Sequence, residues 1–198
     1  MSGHYDPAGK WKTQLDVAWW SDDDGKSWRL STGPKPPVPS AAGAAAVVAG
    51  AGATPQNEFV GFDEPQFTEL RNGSILLSLR RDGAGSRGQA LSSDGGASFA
   101  WSADTIPNHA GGVQQPLITL ANGTLVYSAP NHGSRMNMTV FASTDQASTW
   151  QAVRNVYTGP SGYSSLAEQA SGAVALAYER DVVGCNGETC AIQWTILS

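Results

Sequence analysis

The chain has 198 residues, 40% hydrophobic and only 15% charged, with a formal net charge of −5. That is enough apolar material for a substantial core, and an acidic chain without a basic stripe excludes nucleic acid as a partner. Gly (23) and Trp (7) are frequent and no long amphipathic run is visible, so short strands joined by tight turns are expected.

In chain order, the N-terminal MSGHYDPAGKWK lacks an apolar run behind a basic patch and does not read as a signal peptide; no later stretch is long and apolar enough to span a membrane. Ser21-Asp-Asp-Asp-Gly-Lys-Ser-Trp28 is the first of three related polar turns, followed by Ser92-Ser-Asp-Gly-Gly-Ala-Ser-Phe99 and Ser143-Thr-Asp-Gln-Ala-Ser-Thr-Trp150. In each, an Asp (Asp23, Asp94, Asp145) is placed to bond its own turn backbone, and the closing aromatic is placed to plug beneath it. These residues read as structural. Between the first two turns, a Pro, Ala and Gly-rich stretch at about 34–57 reads as an inserted loop.

A second repeat of strand, glycine turn and strand centres on Gly73, Gly123 and Gly172, which recur at intervals of 50 and 49 residues. A period of that size in an all-β chain predicts four-stranded propeller blades. The expected architecture is therefore an incomplete β-propeller of about four blades over 1–198, beginning in mid-blade. Unpaired blade edges predict self-association, or association with missing N-terminal blades. Near the C-terminus, Cys185 and Cys190 bracket a hairpin turn that a disulfide could clip or two free thiols could flank. Asn72, Asn122 and Asn137 head N-x-[ST] sequons, although Asn-Gly at the first two is also a favoured turn.

Counting outward from two-residue turns places Glu64 and Pro65 opposite Arg81 and Arg80, and Tyr163 and Ser164 opposite Arg180 and Glu179. Arg135 follows the strand that leaves the middle hairpin. Polar groups from three repeats thus gather at the strand ends away from the turns, where propellers bind ligands. No metal or other cofactor is expected. His4, His109 and His132 have no ligand spacing and read as loop residues, and Asp22, Asp23 and Asp24 lack the later glutamate of a calcium loop.

On these residues the chain resembles the sialidases (neuraminidases), and the animal lysosomal sialidase more closely than the bacterial ones. The polar turns look like that family's Asp boxes. More specific are the segments Asp63-Glu-Pro-Gln-Phe-Thr-Glu-Leu-Arg-Asn-Gly-Ser-Ile-Leu-Leu-Ser-Leu-Arg80, Ala129-Pro-Asn-His-Gly-Ser-Arg-Met-Asn-Met-Thr139 and Gly159-Pro-Ser-Gly-Tyr-Ser-Ser-Leu-Ala167, all in family order. The resemblance covers essentially the whole chain but only the C-terminal half or so of a typical catalytic domain.

It implies a sialidase-type propeller that removes terminal sialic acid from glycoproteins, glycolipids or oligosaccharides, in a lysosomal or secreted setting, with a sialylated glycan as partner. Tyr163 would be the nucleophile and Glu64 its base; Arg80 and Arg135 would be two members of the arginine triad that grips the substrate carboxylate, and Glu179 would support the first arginine. Two departures stand out: no Phe-Arg-Ile-Pro-like segment supplies that first arginine, and neither Asp6 nor Asp16 has the context of the acid/base aspartate. As it stands, the chain is therefore expected to be weak or inactive in turnover. The rival reading is a non-catalytic sialic-acid-binding or Asp-box interaction module.

Overall fold

The computed structural model describes residues 2–5, 15–33, 59–60, 63–80, 85–108, 113–181 and 191–197. The stretch expected as an insertion at about 34–57 and the Cys185–Cys190 turn lie outside them. Every described regular element is a strand, and the antiparallel sheets form four blades, the last two sharing one six-stranded sheet, with a separate two-stranded pair.

The first blade holds β1 (Ser2–Tyr5), β2 (Leu15–Trp20) and β3 (Arg29–Leu30), with β4 (Phe59–Val60) also against β2. His4 therefore belongs to a strand, paired with Asp16, and not to a loop. The second blade runs β5 (Asp63–Glu69), β6 (Ile75–Arg80), β8 (Gly88–Ser92) and β9 (Ala100–Trp101); a short pair, β7 (Gly85–Ser86) with β10 (Pro107–Asn108), stands beside it. The third contains β11 (Leu117–Thr119), β12 (Leu125–Pro130), β13 (Met136–Ser143) and the first half of β14 (Gln151–Glu168). The second half of β14 opens the fourth blade and pairs with β15 (Val174–Arg180), which pairs with β16 (Ala191–Leu197).

β6 and β12 are buried on both faces, which is why they read as near-continuous apolar runs without alternation. On β6, Leu77 and Leu79 join Ala18, Ala90 and Phe99 between the first two blades. Leu76 turns the other way, toward Leu117, Leu125, Tyr127 and Phe141 between the second and third. Met138, Val140, Leu176 and Tyr178 fill the gap between the third and fourth. Hydroxyl pairs tie two of these joints, Thr68 with the half-buried Thr119 at 2.7 Å and the buried Ser128 with Ser164 at 2.9 Å.

The Asp boxes close alike. In the first, the Ser21 hydroxyl donates to Asp23 Oδ1, and that carboxylate also accepts the Ser27 N–H at 2.9 Å and the Ser27 hydroxyl at 2.6 Å. Ser92, Asp94 and Ser98 repeat the pattern, as do Ser143, Asp145 and Thr149. The plugging aromatic holds for Phe99, which is buried, and in part for Trp150, which meets Tyr127 edge-on at 4.9 Å. It does not hold for Trp28, 48% exposed, whose indole N–H instead donates to the Gly25 carbonyl of its own turn.

The glycine turns differ by one residue from expectation. Leu70 N–H donates to the Ser74 carbonyl across a three-residue loop, Arg71-Asn72-Gly73, with Gly73 at φ +82°. A type I turn completed by a left-handed residue has this form, and glycine adopts that conformation without steric cost. Leu120 to Thr124 and Gln169 to Ala173 close the same way.

Candidate active site

A three-residue loop moves the register by one, so Ser78 lies opposite Gln66, and a further shift of one puts Arg80 opposite Asp63. Between these rungs β5 carries one residue more than β6: Glu64 and Pro65 together face Leu79, a β-bulge. Pro65 suits it because proline has no N–H to give a ladder. Glu64 sits there at φ +43°, a conformation that costs a non-glycine residue on the order of 1–3 kcal/mol.

The fourth blade repeats the device. Ser161 lies opposite Arg180 and Ser164 opposite Tyr178, so Gly162 and Tyr163 bulge against Glu179. Arg80 is therefore opposite Asp63 rather than Pro65, and Arg180 opposite Ser161 rather than Tyr163; bulges re-aim side chains, and here they do so at both candidate residues. Just ahead, β14 changes partners: Pro160 is its last rung to β13, and the Ser161 N–H then donates to the Arg135 carbonyl at 2.9 Å. That bond brings Arg135 beside Tyr163.

The four candidate residues converge. The Tyr163 hydroxyl donates to Glu64 Oε1 at 2.6 Å, and Arg80 Nη1 donates to the same phenol oxygen at 3.2 Å while pairing with Glu64 Oε2 at 2.9 Å. The Arg135 guanidinium carbon stands 5.4 Å from the centre of the Tyr163 ring. Glu179 is drawn in differently from expectation: its Oε2 accepts the Tyr163 backbone N–H at 2.9 Å and so fixes the bulge.

Partial burial, and then the bond to Glu64, raise the Tyr163 hydroxyl above its ordinary value, with Arg80 and Arg135 opposing. The phenol thus holds its proton at neutral pH, hydrogen-bonded to a carboxylate and next to two guanidinium groups. Such a group serves as a nucleophile with a built-in base, and the two arginines supply planar donors for a carboxylate.

One member of this neighbourhood has no signal in the sequence. Arg87, between β7 and β8, is completely buried and anchored on Ser78 of β6. An aromatic cavity of about 390 Å³ between the first two blades, lined by Trp19, Trp20, Trp28, Phe67 and Phe99 among others, shares no residue with the cluster. Among the described residues no group of three or more His, Cys, Asp or Glu side chains is arranged to hold a metal.

The architecture has relatives among solved structures. Trypanosoma rangeli sialidase in complex with sialic acid superposes with a TM-score of 0.65 at 16% identity, over 92% of this chain and 27% of that one. The intramolecular trans-sialidase of Ruminococcus gnavus gives 0.59 at 20% identity, over 93% and 37%. The α-L-arabinofuranosidase of Fusarium graminearum gives 0.56 at 18%, over 69% and 45%. The chain thus spans about a quarter to a half of these proteins, and at such identities the likeness is one of fold. Among curated proteins none matches. The family description that does match, the BNR repeat-like domain, covers residues 10–176, and the chain belongs to that family.

Proposed function

We propose that the chain carries the nucleophile half of an exo-α-sialidase site, a glycoside hydrolase centre acting on terminal sialic acid with retention of configuration. The observation that carries this reading is the 2.6 Å bond from the Tyr163 hydroxyl to Glu64, with Arg80 on the same oxygen and Arg135 beside the ring. The anomeric carbon of a sialoside bears a carboxylate, so an anionic Asp or Glu nucleophile would meet like charge there. A neutral tyrosine avoids this, which sets sialidases apart from two-carboxylate glycosidases.

In the first step Tyr163 Oη bonds to the anomeric carbon, its proton passes to Glu64, and the glycosidic bond breaks with its electron pair on the aglycone oxygen. In the second, water attacks the anomeric carbon of the tyrosyl glycoside and the bond to Tyr163 Oη breaks; the departing phenolate takes its proton back from Glu64, and the proton that the water loses goes to solvent, where it neutralises the released aglycone oxyanion. Arg80 and Arg135 hold the substrate carboxylate throughout. An aglycone that is a poor leaving group also needs a proton, whereas an activated aryl aglycone does not.

A second reading, a sialic-acid-binding module without turnover, is favoured by one observation: among the described residues the carboxylates that hydrogen-bond Tyr163 are Glu64 and Glu179, and each already has its task. Incubation with an aryl sialoside, alongside calorimetric titration with sialic acid, decides between them. Turnover of the aryl sialoside abolished by Tyr163→Phe supports the enzyme. Binding abolished by Arg135→Ala without turnover supports the module, and neither binding nor turnover by the folded chain defeats both.

A further inference from the structure

Arg87 is the largest fully buried side chain among the described residues. Its Nε donates to Ser78 Oγ at 2.8 Å and its Nη1 to the Val113 carbonyl at 3.1 Å, while Nη2 has no hydrogen-bond partner among the described residues. Burying a guanidinium without a carboxylate in contact is costly, and an apolar side chain of similar volume would give a cheaper core. Its anchor is informative: Ser78 forms the rung immediately behind the bulge, two residues before Arg80 on β6 and opposite Gln66, two residues after Glu64 on β5. The bond to Val113 ties the same rung to the segment leading into β11.

We propose that Arg87 is a positioning residue: it braces the rung behind the Glu64 bulge and supplies a buried counter-charge that holds the Glu64 carboxylate inside the site. This rests on the reading of Tyr163 and Glu64 given above. The charges around it agree. Burial pulls Arg87 down to about 10, Glu64 opposes that most strongly, Arg80 adds to it and Tyr127 opposes it, so the guanidinium remains charged at neutral pH with Glu64 as its main counter-charge. A strained backbone such as that of Glu64 persists only where its surroundings over-determine it, and Arg87 is placed to do this from behind.

The test uses the whole chain with Arg87→Met, which removes charge and donors, and Arg87→Lys, which keeps the charge. Two readouts are taken: the fall in melting temperature that Glu64→Gln causes in each background, and the rate at which a 3-fluorosialosyl fluoride labels Tyr163. The expected results are a smaller fall in the Arg87→Met background than in the parent, and labelling slowed about 10- to 100-fold by Arg87→Met but restored in part by Arg87→Lys, which keeps the charge without the two-donor fork. Equal falls in both backgrounds, or parental labelling by Arg87→Met, overturn the proposal. If Arg87→Met does not fold, Arg87→Lys decides: labelling slowed, but less than by Glu64→Gln, supports it, and parental labelling or a loss as large as that of Glu64→Gln overturns it. A parent chain that folds but does not label defeats the reading of Tyr163, while the melting comparison still reports on Arg87 and Glu64.

Discussion

At the scale of single residues, the site is a phenol held protonated against a carboxylate in a field of two arginines. Replacing Glu64 with Gln keeps the shape but removes the base, so labelling or turnover should fall by about 10²–10⁴-fold with Tyr163 intact. Arg135→Ala should instead weaken sialic-acid affinity by about tenfold or more, as expected for a lost charge-assisted bond; calorimetric titration reads it directly. Tyr163, Glu64, Arg80, Arg135 and Glu179 were all legible in the sequence because their order and spacing match a known constellation. The bond that Glu179 makes to the Tyr163 backbone N–H was not legible, since it depends on the bulge that aims that N–H at it. Arg87 was not legible at all: a lone arginine ordinarily reads as surface, and only its complete burial on Ser78 reveals it.

Two devices act at the scale of elements. The first is the paired bulge. Deleting Pro65 should restore an unbulged ladder between β5 and β6 and turn Glu64 away from Tyr163; labelling of Tyr163 should vanish while the far-ultraviolet dichroism of the strands persists. Counting along the sequence missed the bulges because it assumed two-residue turns, and because an extra residue in a ladder leaves no compositional mark beyond Pro65 and Gly162.

The second device is the Asp box, whose carboxylates the turn holds ionised. Hydrogen bonds from Ser27 and Ser21 hold Asp23 at about 2, those from Thr149 and Ser143 hold Asp145 at about 2, and those from Ser98 and Ser92 lower Asp94. Because these values lie below those of the unfolded chain, their stabilisation is complete above about pH 4 and is lost as the pH falls toward 2. Chemical denaturation at stepped pH should show midpoints falling across that window, and Asp145→Asn should flatten part of the fall.

For the whole molecule, cohesion lies between blades rather than within them. Leu77 and Leu176 are completely buried in two different joints, and truncation of either to Ala should cost about 2–5 kcal/mol by denaturant titration. The propeller was legible from the 50-residue period because every blade spends the same residues on the same turns. The long β14 shared by the third and fourth blades was not, since Gly159, Pro160 and Gly162 leave no strand pattern across the join, and only the change of hydrogen-bond partner from β13 to β15 at Pro160 and Ser161 shows the strand running on. That shared strand delivers Tyr163 from one blade to Glu64 of another, 99 residues earlier in sequence.

Peptide mass analysis after incubation with a 3-fluorosialosyl fluoride probes that meeting most directly, because fluoride leaves without a proton and the outcome does not depend on an acid catalyst. A sialyl adduct is expected on the peptide containing Tyr163, slowed by Glu64→Gln and absent in Tyr163→Phe. A folded chain that binds sialic acid yet carries the adduct on another residue, or forms none, would contradict it.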